Sequence, residues 1–332
     1  MSTTLAEYED LCTDALKKGI AQTILTESPW LQAMPFVPIA SNSIKYKMEK
    51  EAASADFYEV GETWIEGTPT WEDRYADLTI LGGDADVDNF AKAGMQIEAS
   101  DIIALKAKAI ANRFNACAVM GRTTAVTTYS SSKIFKGISR LIAEAESDTT
   151  TDLDGVNNAQ VYANHATSAV LTIDALDSLI ALVKPKPTHL IMNTYMRNKL
   201  NSLARAAGTN LTVANGVLGM PVEMYGTYPI LIDDQIGRNI NDGSSSVLTI
   251  ASYTPTTTRA ATLSNSMIFA VKFGEDGLCG ITSASDGMLQ TVDIGQLETK
   301  DAVRTRIKFY CGMALFNKRA AAVMINVEDA DL

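Results

Sequence analysis

Between Ile44 and Asp88 the sequence draws out two extended arms with no core of their own, and an unbroken amphipathic helix follows directly. In the first arm Ile44, Tyr46 and Met48 alternate with Lys45 and Lys47, the period of two that marks a half-covered strand. A turn-rich, acidic tip comes next, through Glu49-Lys50-Glu51, Asp56, Glu59-Val60-Gly61-Glu62 and Gly67-Thr68-Pro69. The return arm is Trp71 to Leu81, rich in aromatic and β-branched residues. At about 3.3 Å per residue an arm of about a dozen residues reaches about 40 Å. An isolated two-stranded hairpin is marginal in water. The ribbon is therefore expected to need a surface outside its own domain.

A chain of 332 residues is long enough for one large domain or two, each with a buried core. Asp and Glu number 39 against 28 Lys and Arg, a net charge of −11, which argues against a general nucleic-acid binder needing clustered cations. Cys12, Cys117, Cys279 and Cys311 form no Cys-x-x-Cys pair and read as small buried hydrophobes in a reducing compartment rather than metal ligands or disulfides. The first residues lack the charged-then-apolar order of a signal peptide, and no run approaches the eighteen or so apolar residues of a membrane span. The expectation is a soluble, cytosolic product without membrane contact.

Residues 5 to 34 read as one or two short helices on Leu11, Ala15, Ile20 and Ile24, broken at Ser28-Pro29, a docking strap or a frayed end. Pro35 and Pro38 mark an extended connector into the ribbon. From about Gln96 to Met120, Ile103, Ala107, Ile110, Phe114 and Cys117 fall three and four apart, which predicts a rod of about 37 Å. A Thr/Ser-rich linker then leads to Phe135-Lys136-Gly137-Ile138 and a polar excursion from Glu146 to Asn158. A helix capped by Thr172, a Pro185-Lys186-Pro187 stop, a strand at His189–Met192 and a helix from Thr194 to Ala206 closed by Gly208 follow. Leu218 to Val222 and Pro229 to Gln235 read as a turn-strand pair, and Val247 to Tyr253 and Met267 to Lys272 as strands, together an α/β or α+β module. The last third is strand-rich: Leu278 to Ile281, Thr291 to Ile294, an alternating basic strand with Arg304, Arg306 and Lys308, and a final apolar strand from Ala321 to Val327.

Motifs for chemistry are missing. His165 lies in a loop and His189 opens a strand, with no nucleophile elbow, phosphate loop or His-Glu-x-x-His beside them. Gly82-Gly83-Asp84-Ala85-Asp86-Val87-Asp88-Asn89 starts like a calcium loop, but Asn89 and Met95 stand where glycine and a bidentate glutamate are required, so it reads as a water-facing bend. Asp233-Asp234 offers carboxylates for a metal or for acid–base work, and reads rather as a solvated turn. No catalytic, cofactor-binding or metal-binding residue is assigned, and no enzyme is expected.

The charges are more informative. An acidic ribbon tip with Glu59 and Glu62, and a basic patch of Arg304, Arg306 and Lys308 with Lys318 and Arg319 beyond, suit contact between neighbouring copies; equally, both suit solvated faces. If the ribbon is covered by a neighbouring copy, the residues expected to make that contact are Tyr46, Met48, Glu59, Glu62, Trp64 and Trp71.

An N-terminal strap, an acidic ribbon with Gly61-Glu62-Thr63 and returning Trp71, a spine helix ending Val119-Met120-Gly121, then Phe135-Lys136-Gly137-Ile138, His189 to Asn193, Leu218 to Val222 and Pro229 to Asp234 occur in that order. The chain thereby resembles the major capsid protein of tailed bacteriophages, a Hong-Kong-phage-like fold shared with encapsulin shells. The resemblance implies an α+β protein with an N-terminal arm (1–42), an extended β-hairpin loop (43–78), a peripheral domain with a long spine helix (79–136 and 288–315) and an axial α/β domain (137–287 and 316–332). It implies pentamers and hexamers of this one chain closing into an icosahedral shell around viral double-stranded DNA held without sequence-specific contacts. It further implies a virion component assembled in the host cytoplasm, with a portal, a separate scaffolding protein and in some cases a decoration protein as partners. An encapsulin-type compartment is the first alternative, and an α/β enzyme around Asp233 with a dimerisation arm the second.

Overall fold

The computed structural model describes residues 4–7, 15–51, 53–90, 99–123, 129–145, 153, 159–164, 169–208, 211–215, 221–236, 265–285 and 288–328. The N-terminal arm forms helices α1 (Ala15–Glu27) and α2 (Pro29–Ala33). Ser28 caps α2 by accepting from the Leu31 N–H, with Pro29 in the first turn, so the expected break is also a helix start. Strand β1 (Phe36–Ile39) leads to the hairpin β2 (Ser43–Glu51) and β3 (Thr70–Asp77), then β4 (Thr79–Asp88) and the spine helix α3 (Ala99–Met120). Its 22 residues make a rod of about 33 Å.

After α4 (Ile138–Glu144) come the short strands β5 (Val161–Ala163) and β6 (Ala169–Val170). Helix α5 (Ile173–Leu182), strand β7 (His189–Met192) and helix α6 (Thr194–Ala206) match the sequence reading. Thr172 and Asn193 cap the two helices, and Gly208 adopts the left-handed conformation that ends the second at φ +75°. Strands β8 (Thr212–Asn215), β9 (Pro221–Tyr225), β10 (Tyr228–Ile232), β11 (Asn265–Val271), β12 (Leu278–Ser283), β13 (Leu289–Gln296), β14 (Ala302–Leu315) and β15 (Ala321–Glu328) complete the chain. The expected strand at Val247–Tyr253, the polar excursion of Glu146 to Asn158 apart from Leu153, and the Leu218–Met220 turn lie outside the described residues.

Among the described residues two large sheets organise these elements. One runs β5-β15-β11-β7-β10-β9-β8, with β6 also on β15. Its central strands are buried on both faces, and the side chains sort by parity up to the irregularity at Ser266 and Asn326, past which Val327 changes sides. Phe269, Val271, Ala321, Val323 and Ile325 join the core beneath the spine helix, while Ile268, Ala270, Ala322, Met324 and Val327 join a second core under α5 and α6 with Leu176, Leu179 and Leu200. This explains why β15 reads as a continuous apolar run instead of an alternating one. The main core carries Phe36, Phe114, Phe135 and Phe309 in mutual contact, with ring centroids 5.3 to 6.5 Å apart.

The second sheet has β14 at its centre, with β4 along one edge and β13 and β12 on the other, and β1 parallel to β12. One sequence expectation changes here and two gain detail. The residues of Gly82 to Asp88 are not a bend but the body of β4, paired from Asp88↔Ala302 to Thr79↔Cys311. The connector around Pro38 is β1, an edge strand, where a missing N–H is tolerated. Strand β12, placed by the expected boundaries in the axial portion, pairs with β14 of the peripheral portion from Leu278↔Leu315 to Thr282↔Cys311.

The N-terminal arm is part of the core. Leu5, Ile24, Leu25, Trp30, Leu31 and Met34 are all buried. Glu27 ties it to the spine helix, its carboxylate taking Lys108 Nζ at 2.8 Å and its carbonyl Asn115 Nδ2 at 3.2 Å. At the other end of that helix Gly121 and Gly137 bring two backbone segments together, the Gly137 N–H donating to the Gly121 carbonyl at 2.9 Å. A Cβ on Gly121 would run into the Phe135 and Cys117 carbonyls. Gly121→Val is therefore expected to lower stability by about 3 kcal/mol, at the upper end of overpacking costs, read from the urea midpoint against wild type.

Candidate assembly surface

In the hairpin, β2 and β3 pair from Ser43↔Asp77 to Glu49↔Trp71, with an irregularity before Glu51↔Thr70. The face carrying Ile44, Tyr46 and Met48 turns toward the protein's own body. Ile44 and Tyr46 pack on a cluster of Ile39, Ala76, Cys279, Ile281 and Ala314, the Tyr46 ring lies 4.9 Å edge-on from Phe316, and Met48 is buried. Burial pushes the Tyr46 hydroxyl well above its usual titration range. Tyr46 and Met48 were expected to be covered only by a neighbouring copy; the arm's inner face is already covered within one chain, because the end of the second sheet extends beneath it. Opposite Tyr46, Arg74 is buried with Nη2 on Glu72 at 3.0 Å.

The root of the ribbon is a fixed joint. Between β3 and β4 the Leu78 N–H donates to the Asn42 carbonyl at 2.8 Å. Arg122, just past the spine helix and at φ +58°, sends Nη1 to Asp77 Oδ2 at 2.9 Å, Nε to the Ile134 carbonyl at 2.6 Å and Nη2 to the Ser132 carbonyl at 2.8 Å. One side chain thus clamps the last residue of the hairpin to the segment leaving the spine helix.

Beyond the paired arms the tip has a built shape without strands. Tyr58 stacks on Trp64 at 4.4 Å and 20°, and its hydroxyl both accepts from the Ile65 N–H at 3.1 Å and donates to the Ile65 carbonyl at 3.2 Å. Gly61, at φ +92°, turns the chain, and Glu62 closes that turn by accepting the Glu59 N–H at 2.8 Å. Phe57 and Val60 are fully exposed, with Trp64 at 79 %, Ile65 at 77 % and Trp71 at 59 %. Asp56, Glu59, Glu62 and Glu66 surround them, with no Lys or Arg from 53 to 68. Apolar groups are thus displayed densely on a loop held by its own stack and hydrogen bonds, a patch of the kind suited to contact with another molecule. The sequence reading missed Phe57, Val60 and Ile65; isolated apolar residues in a turn-rich acidic stretch were the available signal.

The basic strand requires a correction. Arg304 grips Asp86 with Nε–Oδ1 at 2.6 Å and Nη2–Oδ2 at 2.7 Å, and Arg306 grips Asp84 at 2.6 and 2.9 Å. These forked bonds hold both carboxyls below their usual range. Arg304 and Arg306 are thus neutralised by β4 of their own chain, and so are the acids that suggested calcium. Lys308 stands opposite Gly82 and makes no ion pair among the described residues.

Asp233 also departs from expectation. It is buried rather than solvated, accepting Trp30 Nε1 at 2.6 Å on one oxygen and the Gln235 N–H at 2.9 Å on the other. It ties the N-terminal arm to the end of β10. Asp234 accepts the Thr194 N–H and hydroxyl at 3.2 and 2.6 Å, at the start of α6. His189 packs edge-on at 5.2 Å from Phe273, and burial lowers it to about 4. His165 lies outside the described residues. No helix among the described residues is long and apolar enough to cross a membrane.

Set beside solved structures, this arrangement aligns along most of its length with the SrpI encapsulin of Synechococcus elongatus PCC 7942: TM-score 0.61, 13 % identity, over 91 % of this chain and 89 % of that one. The capsid of a native GTA particle aligns at 0.58 with 16 % identity, over 91 % and 90 %. The chain has the phage-capsid and encapsulin fold. A protein of Mycobacterium phage Adephagia aligns at 0.52 with 13 % identity, over 93 % of this chain and 91 % of that one. No protein-family profile matches the chain, and no curated protein sequence does. The expected α+β architecture of the capsid type is thus the observed one.

Burial pushes the Asp233 carboxyl up from 3.8 to about 6, against the pull of its two donors. A carboxyl raised by folding stabilises the fold below about pH 4, and that contribution disappears as pH climbs through about 6, a loss of about 3 kcal/mol. Asp233→Asn is expected to flatten this component: the difference in urea midpoint between pH 4.5 and pH 7 should shift relative to wild type, gaining stability at the higher pH. An unchanged pH profile would remove Asp233 from the account.

Proposed function

We propose that this chain is the structural subunit of a closed protein shell, and specifically a major capsid protein that assembles as pentamers and hexamers into an icosahedral shell around double-stranded DNA. The observation that carries the reading is the ordered ribbon tip, whose Phe57, Val60, Trp64 and Ile65 face solvent beyond any cover of their own. The capsid-type fold gives that tip a use as a contact between copies. A subunit joined to several neighbours at once gains through effective concentration what one modest interface does not supply. The net charge of −11 keeps separate subunits apart until such contacts form.

The reading is structural rather than catalytic: Asp233, the residue on which an enzyme would rest, has its two oxygens engaged by Trp30 and Gln235. In this proposal residues 1–42 form an arm and 43–78 the extended loop. The peripheral portion takes 79–136 and 288–315, and the axial portion 137–287 and 316–332, with β12 bridging the two. Glu59, Glu62, Trp64 and Trp71 remain contact residues, as does Lys308. Scaffolding, portal and decoration proteins and packaged DNA are the partners, and the virion the location. An encapsulin-type compartment is the second reading, favoured by the alignment with the Synechococcus encapsulin.

Deleting Ala53 to Thr68 is expected to leave a folded, soluble monomer by circular dichroism and sedimentation, while the intact chain forms megadalton particles visible by electron microscopy. Shells of normal size from the deleted protein would overturn the role of the tip. Nuclease-protected DNA in particles from the native source supports the capsid form, and a copurifying enzyme cargo the compartment form.

A further inference from the structure

An open cavity of about 610 Å³ lies beside the distal part of the hairpin, between Lys47 and Trp71 of the ribbon and Lys272, Phe316, Lys318 and Arg319 of the body. We propose that this cavity is the receptor for the ribbon tip of a second copy. The inference rests on the shell reading above and names the surface that one subunit offers to the next.

The match is chemical. Trp71 and the Phe316 ring give the cavity apolar walls, suited to Phe57 and Val60, which have no cover in their own chain. Cations stand around those walls: Lys47 and Arg319 are exposed, and Lys184 and Lys186 flank the lining residue Pro185. Of the lining acids, Asp276 lies 3.8 Å from Lys272, and Glu49 and Glu275 are the others. Four cations and three acids line the cavity, with Lys184 and Lys186 beside it, and they face a tip with four acids and no cation, so a modest positive excess meets negative charge around an apolar centre, the usual anatomy of a specific interface. No residue of the chain's own tip, 53 to 68, lines the cavity. Tip and cavity are different surfaces, so each copy gives one and receives one, the head-to-tail relation from which rings are built. A nucleic-acid backbone suits the site less well, because the apolar walls and three carboxylates offer phosphates nothing.

Charge reversal tests the proposal. Arg319→Glu, whose native side chain makes no hydrogen bond or ion pair among the described residues, and separately Glu59→Arg with Glu66→Arg, are each expected to slow assembly about tenfold in light scattering at unchanged melting temperature. Combining all three changes should restore the wild-type rate. In parallel, a Val60→Cys chain and an Arg319→Cys chain are mixed and treated with diamide, which takes the two electrons released on disulfide formation. A covalent dimer joining the two variants is expected in the mixture, and neither variant alone should give it. Wild-type particles that form while Arg319→Glu assembles normally, or while the mixture gives no mixed dimer, would overturn this receptor and leave the shell reading intact. A wild-type chain that stays single at high concentration would overturn both. Arg319→Glu that leaves assembly unchanged but lowers retained DNA would reassign the cavity to phosphate.

Discussion

The pairing of β14 with β4 is the constraint on which the rest depends. Ten consecutive residue pairs run from Asp88↔Ala302 to Thr79↔Cys311, and two forked Arg–Asp contacts lie along them. This ladder fixes where β4 begins, and β4 begins two residues after the hairpin ends. It also carries the chain from its N-terminal third back to its C-terminal third, and β14 in turn holds β12, β13 and through β12 the arm strand β1. Exposed ion pairs add little to stability one by one. Their contribution here is register: a slip by one residue would set each arginine on the opposite face from its carboxylate.

Much of the α/β module was legible because its signals are local. Thr172 and Asn193 announce helices, the Pro185-Lys186-Pro187 stop and Gly208 end them, and the spine helix declares itself through apolar spacing. The parts that were misread depend on distant partners. Asp84 and Asp86 look like a solvated loop until Arg306 and Arg304 arrive from 222 and 218 positions away. Asp233 looks like a turn until Trp30 reaches it across 203 positions. The ribbon was legible as a ribbon, but the cover on its inner face was not, since Phe316 and Ala314 belong to the other end of the chain. The apolar tip, being locally folded by Tyr58 and Trp64, was within reach of sequence reading and was obscured by its acids.

Two kinds of cohesion therefore divide the molecule. The spine helix, arm and sheets share continuous apolar cores and are complete within one chain. The ribbon is complete only as far as Met48 and Arg74; past them, apolar surface is displayed on a loop shaped by the Tyr58–Trp64 stack and its own hydrogen bonds. Preorganisation of that loop matters for association, because a side chain already ordered by stacking and backbone hydrogen bonds loses little further freedom when it docks.

The Arg122 clamp at the ribbon root has a mechanical meaning. Nine residues of β2 extend from that joint, a lever of about 30 Å. Tilting it by about 10° would carry its far end sideways by about 5 Å, several times the tolerance of a packed contact. Any angular play at this joint would be magnified into misalignment at the far end, and the Arg122 contacts together with the packing of Ile44, Tyr46 and Met48 on the body are what hold it still.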